Sequence, residues 1–510
     1  MLGSILAAAG DSYGAFTTPV IDWHALAPSL ILVATVAASV VFDSLSSERN
    51  SGLISSLAGI GFLAALIPVI TLALSDSEAR VLFDGAFVVD KFSLVLTGLF
   101  LFSGYITILL STNAIAEGDY PEGEYYTLLT AAVLGMVIMT SARDLITIFV
   151  AFELLSIPTY LLAAWRKRTQ TGVEAGMKYF LIGVFATGVM LYGMSLIYGI
   201  TGNTILVNIG AQLNGSVGSE PIAIIGIVFV LVGFGFKISA VPFHNWSPDT
   251  YEGAPTPVTA FLSVASKAAG FVAILQLVFI AFYGQADIIR PMMFVLAALT
   301  MTVGNVIALR QTNIVRLFAY SSVAQAGFIL APLAVVGANA DSSANVLSTV
   351  IMYLLAYTVL NLGIFAVIIS VSRRTGSGEI ASWGGLFTYA PGLAVVMALF
   401  LFGLGGIPPA VGWIAKFQLF TGVISAGTSA AYAMAVIMAI NSVVSLGYYL
   451  NVMRVMFMED APDGDVSPIK LPVPLIAAIA ITAIVAIGLG VYPNFFTDMA
   501  NGATFAFAAG

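Results

Sequence analysis

Four ionisable side chains of this sequence lie inside long apolar stretches, where a charge is costly. Glu153 lies ten residues after Arg143, the start of its apolar segment, so a helix places its carboxyl about 15 Å deep, near the middle of a membrane. Three lysines, Lys237, Lys267 and Lys416, also lie well inside apolar segments. A lysine at the centre of a membrane helix costs about 2.5–3.5 kcal/mol, and chains of buried acids and bases are typical of proton relays. These residue types predict proton transfer through a membrane.

A carboxylate that moves relative to an ammonium group can control that group's proton. At an effective dielectric constant of about 20, opposite charges attract by about 4 kcal/mol at 4 Å and by about 2 kcal/mol at 8 Å. The difference changes a lysine's affinity for its proton roughly thirtyfold. On this hypothesis, small movements of Glu153 make Lys237 hold or release a proton. The simpler alternative is a structural ion pair between Glu153 and one lysine, which leaves the other lysines unexplained.

The composition indicates that membrane helices position these residues. The 510-residue chain is 59% hydrophobic and 9% charged, whereas soluble domains carry about 25% charged residues. Unbroken apolar runs exclude a β-barrel, whose strands alternate. Hydropathy predicts an all-α polytopic membrane protein of about fourteen transmembrane helices. The spans are predicted near residues 25–43, 53–74, 87–111, 125–142, 145–165, 176–200, 221–246, 256–283, 290–309, 314–337, 346–371, 391–425, 430–458 and 471–492.

Two of these spans, the seventh and the twelfth, are predicted to be broken helices. The seventh is interrupted at Val241-Pro242, and the twelfth contains Gly-Gly and Pro-Pro within GLGGIPPAVGWIAKF, residues 403–417. Proline removes a backbone donor and clashes with the preceding turn, so a helix is interrupted at such a run. A tryptophan follows the proline by four residues in both spans, at Trp246 and Trp413.

A second match supports an internal repeat. Residues 150–163 align without gaps with residues 318–331, which places Ser321 opposite Glu153. The fifth span then matches the tenth and the seventh matches the twelfth, and an offset of five spans reverses the direction of crossing. This pattern predicts two inverted five-helix repeats, each with a broken helix. The predicted units are three helices in residues 1–112, helices 4–8 in 120–285, helices 9–13 in 286–460, and helix 14 in 461–510.

The distribution of basic residues predicts the orientation. The loops after odd-numbered spans hold most of them: Arg49, Arg166, Lys167, Arg168, Arg310, Arg316, Arg373, Arg374, Arg454 and Lys470. The opposite side holds only Arg80, Lys91, Arg143 and Arg290. Basic loops remain on the inner side, so both termini are predicted outside. The N-terminus lacks the basic region of a secretory signal, and no cleaved segment is predicted.

The remaining polar residues limit the chemistry that the chain can perform. It has no cysteine and two histidines, so it offers no thiolates for an iron–sulfur cluster and few haem ligands. A net charge of −8 makes nucleic acid an improbable partner. His244 is interpreted as interfacial or structural, with a proton-path role as the alternative. Asp249 and Glu252 are predicted to cap the eighth span, with a role in proton uptake as the alternative.

The segments that carry these residues resemble the antiporter-like membrane subunits of respiratory complex I. The similarity lies in residues 236–270, in the run RQTNIVRLFAYSSVAQAGF at 310–328, in AFELLS around Glu153, and in residues 403–417. The resemblance implies that Glu153 is the fifth-helix glutamate and Lys237 its broken-helix partner. It implies that Lys267 is the central connecting lysine and Lys416 the terminal one.

The resemblance also implies the setting of the chain. Such subunits couple quinone reduction, performed elsewhere in the complex, to proton translocation, and the chain would be a subunit of an NADH:quinone oxidoreductase with no redox centre of its own. NADH, FMN, iron–sulfur clusters and quinone are expected on partner subunits, and no cofactor in this chain. Expected partners are the lipid bilayer, small helical membrane subunits and another antiporter-like subunit. The expected location is a bacterial plasma membrane.

Three alternatives remain open at this point. A subunit of a multisubunit cation/proton antiporter would share the fold and the buried Glu–Lys arrangement. The Asp-Thr-Tyr-Glu-Gly run at 249–253 argues against it, since it resembles one branch of the complex I subunits. A purely structural membrane-arm subunit is the second alternative. A relative of the membrane-bound hydrogenases is the third.

Overall fold

The computed structural model describes residues 21–45, 52–75, 78–116, 122–338, 340–462 and 464–506. Its first ten helices are α1 Trp23–Leu45, α2 Leu53–Leu74, α3 Lys91–Ala116, α4 Glu122–Ser141, α5 Leu145–Ala163, α6 Gln170–Thr201, α7 Leu206–Leu213, α8 Pro221–Lys237, α9 Trp246–Gly253 and α10 Thr256–Ala281. The others are α11 Ala286–Ala308, α12 Ile314–Val335, α13 Ala340–Thr375, α14 Leu386–Tyr389, α15 Pro391–Gly405, α16 Gly412–Ile424, α17 Ser429–Met458, α18 Val473–Val491 and α19 Asn494–Gly502. Short 3₁₀ turns lie at Phe83–Gly85, Ser216–Ser219 and Ile380–Trp383.

In the described part of the chain, 12 helices are long and apolar enough to cross a membrane. This confirms the predicted all-α, multi-pass membrane fold. Helices α10, α12 and α13 are almost entirely buried, whereas α1, α6, α17 and α18 expose most of their apolar surface. The centre of the molecule is therefore formed by α10, α12 and α13.

The two predicted helix breaks are present. The seventh segment consists of α8 and α9, which are separated at Pro242, and the twelfth consists of α15 and α16, which are separated at Pro409. The third span differs from its prediction: residues 87–89 form a strand, and the helix begins at Lys91. This strand, β2 Phe87–Val89, pairs with β1 Arg80–Leu82 in an antiparallel hairpin. The strand residues are as apolar as the helix that follows them, so a hydropathy profile shows no boundary between the strand and the helix.

A buried ion pair fixes the start of α5, the helix that carries Glu153. Arg143 Nη2 donates to Asp90 Oδ2 at 2.8 Å, and both side chains are 2% exposed. The backbone N–H of Ala506 donates to the same carboxylate at 3.1 Å. The ring of Phe505 lies 5.3 Å from the guanidinium carbon. Removing one partner of a buried ion pair costs about 3–5 kcal/mol, so these contacts hold the C-terminal segment, α3 and α5 together.

The same backbone contacts occur at the starts of α5 and α12. Asp144 caps α5 by accepting from two backbone N–H groups, and Asn313 caps α12 in the same way. The first residue of each helix then bonds a distant loop, as Leu145 N–H does to the Thr204 carbonyl at 2.9 Å and Ile314 N–H to the Gly378 carbonyl at 2.8 Å. Two helices with unrelated sequences therefore begin in the same local geometry.

The packing of the preceding helices repeats as well. A Cβ atom on Gly135 of α4 would lie 2.6 Å from the Leu155 nitrogen, and one on Gly304 of α11 would lie 2.6 Å from the Ala324 nitrogen. At both places only glycine permits the helices to approach so closely.

These contacts correct the sequence alignment by one residue. Glu153 lies nine positions after its cap Asp144, and Ser322 lies nine positions after Asn313. The residue equivalent to Glu153 is therefore Ser322, and the predicted match to Ser321 is wrong. A shift of one residue rotates a helical position by about 100°, so the two serines face different neighbours.

Candidate functional site

Lys237 is the last residue of α8, and its ammonium group is held by hydroxyls. Its side chain is fully buried, and Nζ donates to Ser156 Oγ on α5 and to the Tyr179 hydroxyl on α6, both at 3.0 Å. The Phe152 ring lies 5.3 Å from Nζ. Aromatic faces attract cations at this range, so the site is built for an ammonium group although no carboxylate bonds it.

Glu153 lies on the outer face of α5 and does not contact Lys237. Its side chain is half-buried, and Oε1 has no hydrogen-bond partner among the described residues. The exposed side chains on the same face are Ile146, Val150, Ile157 and Leu161. Lys237 bonds instead to Ser156, about one helical turn further along α5. The expected Glu153–Lys237 contact is therefore absent from the described structure.

Lys267 lies in the centre of the molecule on α10. It is 3% exposed, and Nζ donates to Ser322 Oγ on α12 at 2.5 Å. It directly follows a π-helical turn, Leu262–Ser266, into which Asn361 of α13 inserts by donating to Ser263 Oγ at 2.7 Å. Such wide turns displace the following side chains and are frequent at functional sites. The π turn thus sets the direction in which Lys267 points.

Lys416 lies on α16 and binds the end of α15 across the second break. It is 5% exposed, and Nζ donates to the carbonyls of Leu404 and Gly405 at 3.1 and 3.3 Å. The Phe328 ring of α12 lies 4.8 Å from Nζ. The last carbonyls of a helix lack intrahelical donors and carry a partial negative charge, so the break itself supplies the partners of this cation.

The two breaks share their backbone geometry. Ala240 N–H bonds the Gly235 carbonyl at 2.8 Å, and Ile407 N–H bonds the Phe402 carbonyl at 2.9 Å. In each case the preceding residue has a positive φ, 58° at Ser239 and 83° at Gly406. Serine rarely adopts this conformation, whereas glycine adopts it freely.

This correspondence relates the two lysines at the breaks. Counting from the shared bonds, Lys237 is equivalent to Leu404, the residue whose carbonyl binds Lys416. Lys237 lies on the helix before the first break, and Lys416 lies on the helix after the second break. The two ammonium groups therefore lie at equivalent backbone positions, although their side chains start from opposite sides of the breaks. In the described part of the chain, none of Lys237, Lys267 and Lys416 forms an ion pair.

Asp249 and Glu252 of α9 form an ion network with basic residues of two other helices. Asp249 accepts from Lys178 at 2.6 Å and from Arg316 at 3.0 Å, and Glu252 pairs with Arg316 at 2.7 Å. The predicted capping role is wrong, because α10 follows Pro255 without a side-chain cap. The network instead joins α6, α9 and α12.

His244 stays without an assigned role. It lies in the break between α8 and α9, 9% exposed. Its Nδ1 has no hydrogen-bond partner among the described residues. Within the same residues, no group of three or more histidine, cysteine or acidic side chains is placed to hold a metal ion.

The sequence analysis missed the neutral partners of the lysines. Ser156, Tyr179 and Ser322 bond the ammonium groups directly. The chain contains 19 tyrosines and many serines in apolar segments, so their presence alone marks no site. The available signal is positional: Ser156 lies on the same helix as Glu153, one turn away.

Comparisons with known proteins show which family this chain resembles. A family described as "NADH:quinone oxidoreductase/Mrp antiporter, TM" matches residues 142–445. The NADH-quinone oxidoreductase subunit N of Trichlorobacter lovleyi is 37% identical over 485 residues, 94% of this chain and 96% of that protein.

Two solved structures share the fold. One chain of respiratory complex I from Thermus thermophilus is 30% identical with a TM-score of 0.76, over 93% of this chain and 100% of that chain. A chain of the Mrp complex from Dietzia sp. has a TM-score of 0.83 at 21% identity, over 95% and 97% of the two chains, and shows the fold alone. Both kinds of relative match nearly the whole chain, and the higher sequence identity to subunit N, 37% against 21%, decides between them. The chain belongs to the antiporter-like membrane-subunit family of NADH-quinone oxidoreductases, with the subunit N proteins.

Proposed function

We propose that this chain is the proton-translocating membrane-arm subunit N of a bacterial NADH:quinone oxidoreductase. Quinone reduction takes place on partner subunits, which carry NADH, FMN, iron–sulfur clusters and quinone, and this chain contributes proton transfer without a cofactor of its own. The observation that supports this most strongly is the set of three buried lysines without an ion-pair partner among the described residues. Such side chains are retained in a membrane protein where they carry protons or ions.

The proton path of this proposal follows the three buried lysines. The charges of Glu153 and Lys237 act on each other, and Lys267 lies between the two breaks on the central helix α10. Lys416 occupies the second break. Movement of the Glu153 carboxylate towards or away from Lys237 changes the electrostatic energy of the ammonium by about 2 kcal/mol. In this way a movement of Glu153 alters proton binding at Lys237.

The proposal includes the inverted repeat and the orientation. Counting α8–α9 and α15–α16 as one crossing each, together with the 12 long helices, gives fourteen crossings and both termini on the outer side. The first repeat comprises residues 120–285 and the second 286–460, with three preceding helices in 1–112 and a final one in 461–510. The shared caps, glycine contacts and break geometry support this division.

A partner subunit is proposed to cover the outer face of α5. A carboxylate exposed to hydrocarbon is costly, yet Glu153 is half-buried on a face of exposed apolar residues. An open groove between α5 and α6, lined by Ile146, Phe149, Leu191 and Tyr198, continues this face. A helix of a small membrane subunit or of another antiporter-like subunit, placed there, removes Glu153 from lipid.

The alternative function is a subunit of a multisubunit cation/proton antiporter, favoured by the fold shared with the Mrp complex. Inverted membrane vesicles that contain the assembled complex separate the two functions. We expect NADH to drive proton uptake and an imposed sodium gradient to drive none. Sodium-driven proton movement that disappears when this chain is deleted would contradict the proposal.

A further inference from the structure

Four buried polar side chains form a network that does not include any of the four predicted site residues. The hydroxyls of Tyr449 and Ser321 lie 2.6 Å apart. Gln325 Nε2 donates to the Tyr449 hydroxyl at 3.2 Å, and Gln325 Oε1 accepts from the Tyr353 hydroxyl at 2.5 Å. All four side chains are 4% exposed or less. Burying a polar group costs free energy unless it is hydrogen-bonded. A buried network of bonded polar side chains is therefore a candidate functional feature.

The network lies between the attachment points of two lysines on α12. Ser322, next to Ser321 in sequence, holds Lys267. Phe328, about one turn beyond Gln325, covers Lys416. Gln325, which bonds Tyr449 of α17, therefore lies on the stretch of α12 that separates the central lysine from the terminal one.

Comparison with the first half shows what the network replaces. Counted from the helix caps Asp144 and Asn313, Gln325 is equivalent to Ser156. Ser156 is one of the two hydroxyl partners of Lys237.

Tyr353 is equivalent to the other partner. Thr201 and Thr375, at the ends of α6 and α13, both bond a nearby backbone carbonyl before a glycine with positive φ. Tyr179 and Tyr353 each lie 22 residues before these threonines. In the first half the pair bonds an ammonium, whereas in the second half its equivalents bond each other and Tyr449.

The amide of Gln325 holds the Tyr449 hydroxyl beside Ser321. The phenol oxygen accepts from Gln325 Nε2, which leaves its single hydrogen able to donate to Ser321 Oγ, 2.6 Å away. The other end of the amide is occupied by Tyr353 as donor. Ser321 is next in sequence to Ser322, the residue that holds Lys267.

We propose that Tyr449 passes protons between the Lys267 and Lys416 regions and that Gln325 is the positioning residue that orients it. A proton that arrives on the phenol oxygen is matched by release of the phenol's own hydrogen to Ser321 Oγ, and Ser321 in turn releases its own hydroxyl hydrogen towards the Lys267 region. At each hydroxyl the O–H bond that breaks and the one that forms balance, and no electron is transferred. The inference rests on the proposed proton-translocating function.

The test uses assembled complex in inverted vesicles and measures NADH-driven proton uptake. Tyr449→Phe removes the hydroxyl and keeps the ring, and we expect uptake to fall at least fivefold. Tyr125→Phe is the matched control: this tyrosine is also fully buried, and its hydroxyl lies 2.9 Å from Ser111 Oγ rather than in the network, so we expect uptake within a factor of two of wild type. Gln325→Leu should lower uptake, and the double variant should be no lower than Tyr449→Phe alone, because Gln325 acts through Tyr449.

Each contrary outcome has its own meaning. Wild-type uptake in Tyr449→Phe overturns the inference, as does an equal loss in Tyr125→Phe or an additive loss in the double variant. Lys416→Met, measured in parallel, tests the proposed function itself. If Tyr449→Phe keeps its uptake while Lys416→Met loses it, the inference is wrong and the proposed function stands. If both keep it, both are wrong.

Discussion

Replacing Lys237 with methionine is expected to abolish NADH-driven proton uptake through this chain. Methionine keeps the length and apolar character of the lysine stem but has no group that binds a proton. The vacated site retains Ser156 and Tyr179, which bond the ammonium in the wild type. Because these hydroxyls remain ordinary hydrogen-bonding groups, the loss is expected to affect proton transfer rather than folding. The measurement is proton uptake in inverted vesicles, normalised to the amount of assembled complex.

Lys178→Met provides the matched control for this variant. Lys178 lies on α6 beside Tyr179, but its side chain is 40% exposed and pairs with Asp249 and Glu174. Exposed ion pairs contribute about 0–1 kcal/mol, so this change is expected to leave uptake near the wild-type value. Undiminished proton uptake by the assembled Lys237→Met complex would contradict a proton path through Lys237 and would favour a structural role for this residue.

Replacing Lys416 with methionine is expected to lower proton uptake at least tenfold and also to lower the stability of the complex. The ammonium bonds the last carbonyls of α15, at Leu404 and Gly405. Removing it leaves buried acceptors without a donor, which costs about 1–3 kcal/mol. Proton uptake and the thermal unfolding midpoint of the purified complex measure the two effects.

Two comparisons separate these effects. Lys470→Met removes an exposed cation of the loop before α18 and is expected to change neither quantity. Lys416→Arg keeps the cation and donors for the carbonyls, so it should recover the stability, whereas arginine is effectively always protonated and should not recover the uptake. Recovery of uptake by arginine would show that Lys416 acts only as a fixed charge at the helix end.

The sequence predicted the elements whose causes are local. Proline and paired glycines interrupt a helix wherever they occur, so the breaks at Pro242 and Pro409 were predictable. A lysine within an apolar run is rare enough to mark a site by itself, and Lys237, Lys267 and Lys416 are buried. The roles of these residues and of Glu153, the repeat boundaries and the orientation remain predictions.

What depends on helix rotation and packing was missed. The gapless alignment chose Ser321 over Ser322 because apolar helices match by chance, yet Ser322 alone holds Lys267. The π turn before Lys267 is bonded by Asn361, which lies on another helix. The contact of Glu153 with Lys237 was inferred from the charges of the two residues and from the family resemblance, and in the described structure Lys237 bonds Ser156 and Tyr179 instead.

The central claim is that Glu153 controls the proton affinity of the buried lysines through its charge. The direct measurement is Glu153→Gln in inverted membrane vesicles, with NADH-driven proton uptake and NADH:quinone electron transfer recorded side by side after assembly is confirmed. Glutamine keeps the size and polarity of the side chain and removes its negative charge. The account predicts that proton uptake and electron transfer fall together, because the two are coupled. Wild-type values of both would contradict it and make Glu153 a structural residue.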